Sequence, residues 1–352
     1  MNGEEQIQGS SVISSAKKKH FQWIIACCVV CACLCVVLGA ATYKTLFLPV
    51  HLSEPQTVII GRSASLGYVA NRLEQRGLIP SALAFKIYAR LTNRANKLKV
   101  GEYEINDGYT PIGILNLLVS GRAKTFILVI PEGKWASEIN SIVSSKWPGS
   151  QTDFTTLVQQ PQHWQGKVGF PLPQNSLEGF LFPDTYRFPA HASAESVIGK
   201  MLERFQSTCW AAYQADKPTD GRSFYDVLIL ASLVEAEAKI DKERPTIAGV
   251  YMNRLKNRWA LDCDATLIYA MQRRVKRVFD QDKLIDSPYN TYKRRGLPPS
   301  PINNPGLKSF LAALHPANVP YFFYVARGDG SHIFSRTLAE QNEVIRRIRG
   351  KY

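Results

Sequence analysis

The stretch that decides the fold is residues 228–238, which read LILASLVEAEA and carry two glutamates, Glu235 and Glu237, near the end of an apolar run. Ser223 and Asp226 lie just before it at the spacing of a helix N-cap and its reciprocal partner, so the segment predicts a capped helix. Carboxylates this deep in an apolar helix are unusual because burying a charge is costly. Burial also raises the pKa of a carboxyl group, which is what a general acid needs near neutral pH.

Helical geometry separates the two glutamates. Glu235 follows Leu228, Ala231 and Ser232 on one face, whereas Glu237 is two residues further on and points to nearly the opposite side. Only one of them can face a given cleft, and spacing alone leaves open which one does. A solvent-exposed glutamate in a salt bridge is the alternative interpretation for either residue.

Several other chemistries are excluded by the absence of their motifs. The sequence has no HExxH pattern, no clustered Cys and His at zinc spacing, no phosphate loop and no GxSxG elbow. An SxxK arrangement occurs only at residues 14–17 and 15–18, ahead of the apolar N-terminal segment. We therefore expect no metal and no cofactor, and carboxylate chemistry remains.

An apolar, charge-free segment lies near the N-terminus, where residues 23–41 read WIIACCVVCACLCVVLGAA. About 20 apolar residues cross a bilayer as a helix, so we predict a single transmembrane anchor over residues 22–43. A cleaved signal peptide is the competing interpretation, because residues 39–41 loosely resemble a small-residue cleavage site.

The charges that flank this segment predict its orientation. Three lysines, residues 17–19, precede it directly, and only Lys44 follows closely. Positive charge is retained on the cytoplasmic side of a membrane span. We therefore predict a cytoplasmic tail over residues 1–21 and a periplasmic or otherwise extracytoplasmic location for everything beyond the plasma (inner) membrane.

Cysteines and net charge fit an exported protein. Five of the seven cysteines lie inside the apolar segment, and only Cys209 and Cys263 lie beyond it. Those two could pair in an oxidising compartment, although sequence gives no distance between them. The net charge of +14 is spread along the chain. That spread favours anionic lipid or an acidic wall polymer over nucleic acid as the partner.

The region after the anchor predicts a small α/β unit. Residues 44–54 read as a linker, residues 57–60 as a strand, and helical patterns begin at Ser63 and Ser81 before a second strand at 101–105. This order of strand, helix, helix and strand resembles the LysM module, which binds glycans that contain N-acetylglucosamine. An ordinary α/β packing unit explains the pattern nearly as well.

The rest of the chain predicts a mixed α+β domain. Residues 145–175 are rich in Pro, Gln and Gly and predict a loop-rich connection. A helix is predicted over residues 245–258, a β-hairpin from residues 321–326 and 332–335, and a final helix after the cap residue Thr337.

Five motifs connect this chain with a known family. Residues 231–237, ASLVEAE, resemble the AS-[IL]-V-E-x-E signature of the YceG-like family of endolytic lytic transglycosylases. Four further segments are similar to that family in the same order: LEGFLFPDTY at 177–186, LDCDAT at 261–266, SPYNTY with GLPPSPI at 287–302, and GSHIFSRT at 330–337. The chain is identified as a member over residues 55–352. Two departures are the loss of Ser and Pro from the third motif and of a His at Gln341.

The resemblance implies the site residues. The family's catalytic glutamate is the first of the pair, which is Glu235 here. The candidates for substrate binding lie in the same motifs: Asp264, Tyr289, Asn290, Tyr292, Glu178 and Glu237. A structural role is the alternative for each, and Asn290 before Thr291 is a common turn composition.

The resemblance also implies architecture and activity. We expect an α+β chain with one N-terminal transmembrane helix, a small LysM-like α/β subdomain over residues 55–125, and a YceG-like catalytic domain over residues 126–352. The implied enzyme is a carbon–oxygen lyase that cuts nascent peptidoglycan strands near the membrane, beside peptidoglycan synthases, and leaves a 1,6-anhydro-N-acetylmuramic acid end. The alternatives are a membrane-tethered glycan-binding protein, and a hydrolase that uses Glu235 with Asp264 or Glu178.

Overall fold

The structure is a computed structural model with mixed α+β architecture, as predicted. It describes residues 23, 29–61, 63–147, 150–190 and 192–349. Internal contacts divide the chain into two units, with the boundary between Thr125 and Phe126.

The first helix, α1, covers Val29–Leu46 and is long and apolar enough to cross a membrane. It extends three residues past the predicted end of the anchor at residue 43, into the stretch predicted as a linker. The hydroxyl groups of Thr42 and Thr45 donate to carbonyl oxygens four residues earlier in the helix, which lets these polar side chains continue it. The predicted cytoplasmic tail lies outside the described residues.

The first unit continues with two strands and three helices. These are β1 (Gln56–Ile60), α2 (Leu66–Gln75), α3 (Ala82–Leu91), β2 (Gly101–Ile105) and α4 (Pro111–Ser120). The strands are antiparallel, with Val58 opposite Tyr103, and both of these side chains are buried. The predicted order of strand, helix, helix and strand is present, but this order alone does not identify a LysM module.

The second unit contains the remaining strands and helices, and the first of these strands begins at the boundary residue Thr125. Its strands are β3 (Thr125–Val129), β4 (Thr185–Pro189), β5 (Phe323–Ala326) and β6 (His332–Ser335). Its helices are α5 (Ala136–Lys146), α6 (Gln151–Gln159), α7 (Ala194–Phe205), α8 (Ala211–Ala215), α9 (Phe224–Glu237), α10 (Arg244–Lys256), α11 (Asp264–Ala270), α12 (Leu307–Leu314) and α13 (Leu338–Arg349). Strand β3 pairs with β4, and β5 pairs with β6 in the predicted hairpin.

The prediction of a loop-rich connection over residues 145–175 was wrong for its first half. Helix α5 runs into this stretch, α6 follows it, and a 3-10 turn covers Pro161–Trp164. Phe154 and Val158 of α6 are buried. Two apolar contacts to the core therefore hold a helix in a segment whose composition is typical of loops.

Helix α9 is the centre of the second unit. The predicted capping box is present, since Ser223 accepts a hydrogen bond from the backbone of Asp226 and the Asp226 carboxylate accepts one in return. Every side chain of α9 from Val227 to Val234 is buried, and α10 and α12 pack against it. An apolar surface all round is what a fully enclosed helix requires.

Cys209 and Cys263 are both buried and free, so they do not form a disulfide.

Candidate active site

The two glutamates near the end of α9 face different surroundings. The Glu235 side chain is only 7% exposed, and its Oε1 lies 3.3 Å from Nη1 of Arg244. Its Oε2 accepts a hydrogen bond from the Gly306 N–H at 3.0 Å. Glu237 instead accepts a hydrogen bond from the Cys263 thiol at 3.3 Å. Each glutamate therefore belongs to a different group of side chains.

Arg244 supplies a buried positive charge beside Glu235. It is the first residue of α10, its side chain is 8% exposed, and its Nε lies 3.1 Å from Oδ1 of Asp241. Its Nη1 also donates to the Ser309 hydroxyl on α12. A guanidinium stays charged in proteins, so a buried one requires paired acceptors. Arg244 therefore sets the charge next to Glu235 and links the starts of α10 and α12.

A second carboxylate, Glu132, lies close to Glu235. A Cβ on Gly306 would come within 1.9 Å of Oε1 of Glu132, so this carboxylate packs directly on the Gly306 backbone. Burial raises the pKa of Glu132 and the charge of Glu235 raises it further, while Arg244 and Lys308 lower it. Only glycine leaves room for this contact at position 306.

Glu178 lies in the interior, where the chain itself uses its oxygens. It is 5% exposed. The Ala136 N–H donates to its Oε1 at 3.0 Å, the Asn304 amide donates to the same atom at 2.7 Å, and the Tyr269 hydroxyl donates to Oε2 at 3.4 Å. Burial raises the pKa of Glu178 to about 7, although these three donors lower it. The predicted contact between Glu178 and the substrate stays a prediction.

Asn304 joins three segments around the site through one amide group. Its Oδ1 accepts hydrogen bonds from the N–H groups of Gly179 and Leu181 at 2.9 and 2.8 Å. Its Nδ2 donates to the Lys134 carbonyl at 3.0 Å as well as to Glu178. The amide therefore fixes the LEGFLFPDTY motif, the turn before α5 and the segment that leads into α12 in one arrangement.

A small polar pocket lies beside the end of α9 and has a volume of about 140 Å³. It collects three of the predicted substrate-binding residues, namely Glu237, Asp264 and Tyr292. The Tyr292 hydroxyl donates to Oδ1 of the exposed Asp264 at 2.6 Å. Burial raises the pKa of Glu237, and the charge of Asp264 adds to this, while the Cys263 hydrogen bond lowers it.

Asn290 is fully buried, and its side chain is engaged by the surrounding loop. Its Nδ2 donates to the carbonyls of Lys283 and Ile285 at 2.9 and 2.7 Å, and its Oδ1 accepts from the Tyr292 N–H at 3.0 Å. Its structural contribution is thus to set the shape of the loop that carries Tyr292. A direct contact with the substrate stays a prediction.

Tyr289 lies on the same loop and faces the Glu178 group. Its hydroxyl shares a hydrogen bond of 2.7 Å with Ser300, and its ring packs edge-on against Tyr269 at 5.0 Å between centroids. Its predicted role in substrate binding also stays a prediction.

Within the described ranges, no group of three or more His, Cys, Asp or Glu side chains is placed to hold a metal ion.

Sequence reasoning missed three residues of this site: Glu132, Arg244 and Asn304. Glu132 lies in a Pro-Glu-Gly sequence, which is typical of an ordinary turn and does not indicate a site residue. Arg244 begins a helix, where a charged residue usually faces solvent. The signal for Asn304 was weaker still, since Asn303-Asn304-Pro305 reads as an ordinary turn.

Comparison with known proteins identifies the family. The model of the YceG-like family matches residues 58–347, so the chain belongs to the YceG-like family. The chain is similar to the crystal structure of a YceG-like protein from Listeria monocytogenes, with a TM-score of 0.57 and 30% identity. That match covers 83% of this chain and 99% of the Listeria chain.

Two relatives share one name. An endolytic murein transglycosylase of Bacillus subtilis is 33% identical over 324 residues, which covers 88% of this chain and 89% of that protein. An endolytic murein transglycosylase of Streptococcus pneumoniae is 26% identical over 309 residues. This second match covers 79% of the present chain but 56% of the Streptococcus protein, so the chain spans little more than half of that relative.

Proposed function

We propose that this protein is a membrane-anchored endolytic lytic transglycosylase of peptidoglycan. It cleaves the bond between N-acetylmuramic acid and N-acetylglucosamine and leaves a 1,6-anhydro end. Family membership and the names of the relatives support the enzyme class. The observation that carries the choice of residue is the position of Glu235, a nearly enclosed carboxyl oriented by the Gly306 N–H and paired with Arg244.

The mechanism needs one carboxyl that acts twice. Glu235 donates a proton to the leaving glycosidic oxygen as the C1–O bond breaks. The muramic acid 6-hydroxyl then attacks its own C1, and the Glu235 carboxylate takes the hydroxyl proton. A nucleophile within the same sugar has a large effective concentration and needs no bound water. Arg244 and the Gly306 N–H stabilise the carboxylate in the interval between the two proton transfers.

The polar pocket beside α9 is the proposed place for sugar binding. Asp264, Tyr292 and Glu237 present oxygens that suit the hydroxyl and N-acetyl groups of the substrate and stabilise an oxocarbenium-like transition state. Asn290 and Tyr289 contribute through the loop that positions Tyr292. Glu178 contributes through the hydrogen bonds that fix the turn before α5.

Helix α1 and the three lysines that precede it in the sequence support the proposed location of the enzyme. The helix anchors the chain in the inner membrane with the N-terminus in the cytoplasm, so that the second unit meets nascent strands beside peptidoglycan synthases. A LysM-like role in glycan binding is also proposed for the first unit, and its strand-helix-helix-strand order is compatible with that role.

Substitution of Glu235 tests the proposal most simply. The full-length chain in detergent micelles is incubated with uncrosslinked glycan strands, and newly formed strand ends are counted. Glu235→Gln should abolish cutting while strands still bind, whereas Glu237→Gln should weaken binding and retain cutting. Glu203→Gln, which changes an exposed glutamate on α7, is the matched control. Full activity of Glu235→Gln would refute the assigned role.

A further inference from the structure

Glu132 and Glu235 approach the same glycine from two sides. The Gly306 N–H donates to Glu235 at 3.0 Å, and a Cβ on Gly306 would come within 1.9 Å of Glu132. Because only the N–Cα and Cα–Cβ bonds separate these two contact points, the carboxylate oxygens lie within about 8 Å of each other. Carboxyl pairs that cleave glycosidic bonds are about 5 to 9.5 Å apart. The two groups are therefore close enough to act on one sugar.

The two carboxylates differ in their partners. Both oxygens of Glu235 are engaged, one by a backbone N–H and one by a guanidinium. Among the residues that the structure describes, the Glu132 carboxylate accepts no hydrogen bond and forms no ion pair, and the residue is exposed overall although Oε1 packs on the Gly306 backbone. Of the two carboxyls, Glu132 is thus the one whose oxygens are available to accept a hydrogen bond or hold a proton.

The charged groups that face Glu132 come from every element packed around it. Glu235 on α9 and Asp241 in the turn before α10 raise the pKa of Glu132, after burial, which is the largest cause. Arg244 on α10 and Lys308 on α12 lower it, but the net direction is upward. The negative neighbours and burial therefore outweigh the two cations.

A bound glycan strand would raise the pKa of the carboxyl pair further. A sugar over the pair would remove water from both carboxyl groups, and two like charges in a dehydrated site repel, which favours the state in which only one carboxyl is ionised. The lytic reaction requires such a proton before the glycosidic bond breaks. Yet the direct partners of Glu235, Arg244 and the Gly306 N–H, both bind its carboxylate form.

We propose that Glu132 is a positioning residue that acts through Glu235: under a bound glycan strand the two carboxyls hold one proton between them, and Glu235 delivers this proton to the leaving oxygen. The inference rests on the proposed function. The proton count balances, because the proton given to the leaving oxygen is replaced by the one that the 6-hydroxyl releases when its oxygen bonds to C1. The pair therefore ends each cut as it began, with one proton.

The dependence of kcat on pH tests the proposal, because kcat reports the strand-bound enzyme. The wild-type rate should fall on the alkaline side as the pair loses its shared proton. In Glu132→Gln the remaining carboxyl has no negative neighbour in the pair, so this alkaline limb should move about one pH unit lower. Glu132→Asp retains the charge and should keep the limb near its wild-type position.

Two further variants control for effects on structure. Gly306→Ala fills the space that Glu132 occupies without removing a charge, and pushing the carboxylate away should also lower the alkaline limb. Glu203→Gln removes an exposed charge on α7 and should leave the profile unchanged. Tryptophan fluorescence of each variant checks that it is folded.

Two outcomes overturn the inference. One is a Glu132→Gln enzyme with wild-type kcat at every pH, and the other is a lower kcat with the limb in its wild-type position, which a purely structural role would produce. Failure of the proposed function is distinguishable from both, because the wild-type enzyme would then form no 1,6-anhydro ends at any pH. An alkaline limb that moves to lower pH in Glu132→Gln and in Gly306→Ala, but not in Glu132→Asp, supports the inference.

Discussion

Replacing Glu178 by Gln should change how the stability of the second unit depends on pH. Burial raises the pKa of Glu178 from 4.5 to about 7 in the folded chain. The unfolded chain therefore loses this proton first as the pH rises. Below pH 4.5 the folded and the unfolded chain both hold the Glu178 proton, so Glu178 does not lower the free energy of unfolding. Between pH 4.5 and about 7 the free energy of unfolding falls, and above about pH 7 it stays at its lower value.

The size of the effect follows from the shift. Each unit of pKa corresponds to about 1.4 kcal/mol, so ionisation of Glu178 should remove roughly 3 kcal/mol from the free energy of unfolding between acid and alkaline pH. Because the side chain is 5% exposed, solvent screening reduces this little. Because glutamine does not ionise, the free energy of unfolding of Glu178→Gln should not show this decline with pH. At low pH it should cost about 1 kcal/mol, since its amide group replaces one acceptor oxygen.

Urea unfolding of the full-length chain in detergent, followed by tryptophan fluorescence at several pH values from 4 to about 8, measures this difference. Five of the six tryptophans lie in the second unit, so the signal reports that unit. The stability of Glu178→Gln relative to wild type should rise with pH. A difference that stays constant would contradict the reasoning. A difference that falls with pH would show that the donors from Ala136, Asn304 and Tyr269 outweigh burial.

Three further substitutions probe the other contacts. Asn304→Ala leaves buried N–H groups and a carboxylate without their partner, so it should lower the free energy of unfolding by about 3 kcal/mol. Asn257→Ala changes an exposed asparagine and should alter this free energy by less than about 0.5 kcal/mol. Equal effects of the two substitutions in urea unfolding would contradict the role of Asn304 in joining the three segments. Arg244→Gln should lower kcat on the order of 100-fold in the strand-cutting assay, and an unchanged kcat would remove the guanidinium from the mechanism. Tyr292→Phe removes the hydrogen bond to Asp264 and should weaken strand binding about fivefold to tenfold with little effect on kcat; unchanged binding would argue against the polar pocket as a sugar site.

Local signals predicted the elements that depend on neighbouring residues. The Ser223–Asp226 capping box predicted the start of α9, and the two strand patterns at residues 321–326 and 332–335 predicted the final hairpin. Helix α6 was missed because its sequence, QTDFTTLVQ, is mostly polar. Its helical state depends on the burial of Phe154 and Val158 against the rest of the unit, which no local pattern contains.

The candidate site was predictable only in part for the same reason. Family resemblance pointed to Glu235, and the structure placed that side chain against Arg244 and Gly306. Glu132 lies more than a hundred residues earlier in the chain and reaches the site only through the contacts of the turn before α5. A Pro-Glu-Gly sequence indicates a turn, and it carries no information about which distant helix the glutamate will meet.

The most direct test of the central claim is the mass of the products made from uncrosslinked glycan strands. The account predicts that the full-length enzyme yields strands ending in 1,6-anhydro-N-acetylmuramic acid, lighter by one water than a hydrolysed end, and that Glu235→Gln yields none. Ordinary reducing ends would contradict it. They would show that water, not the 6-hydroxyl, attacks C1, and that the Glu132–Glu235 pair belongs to a hydrolase.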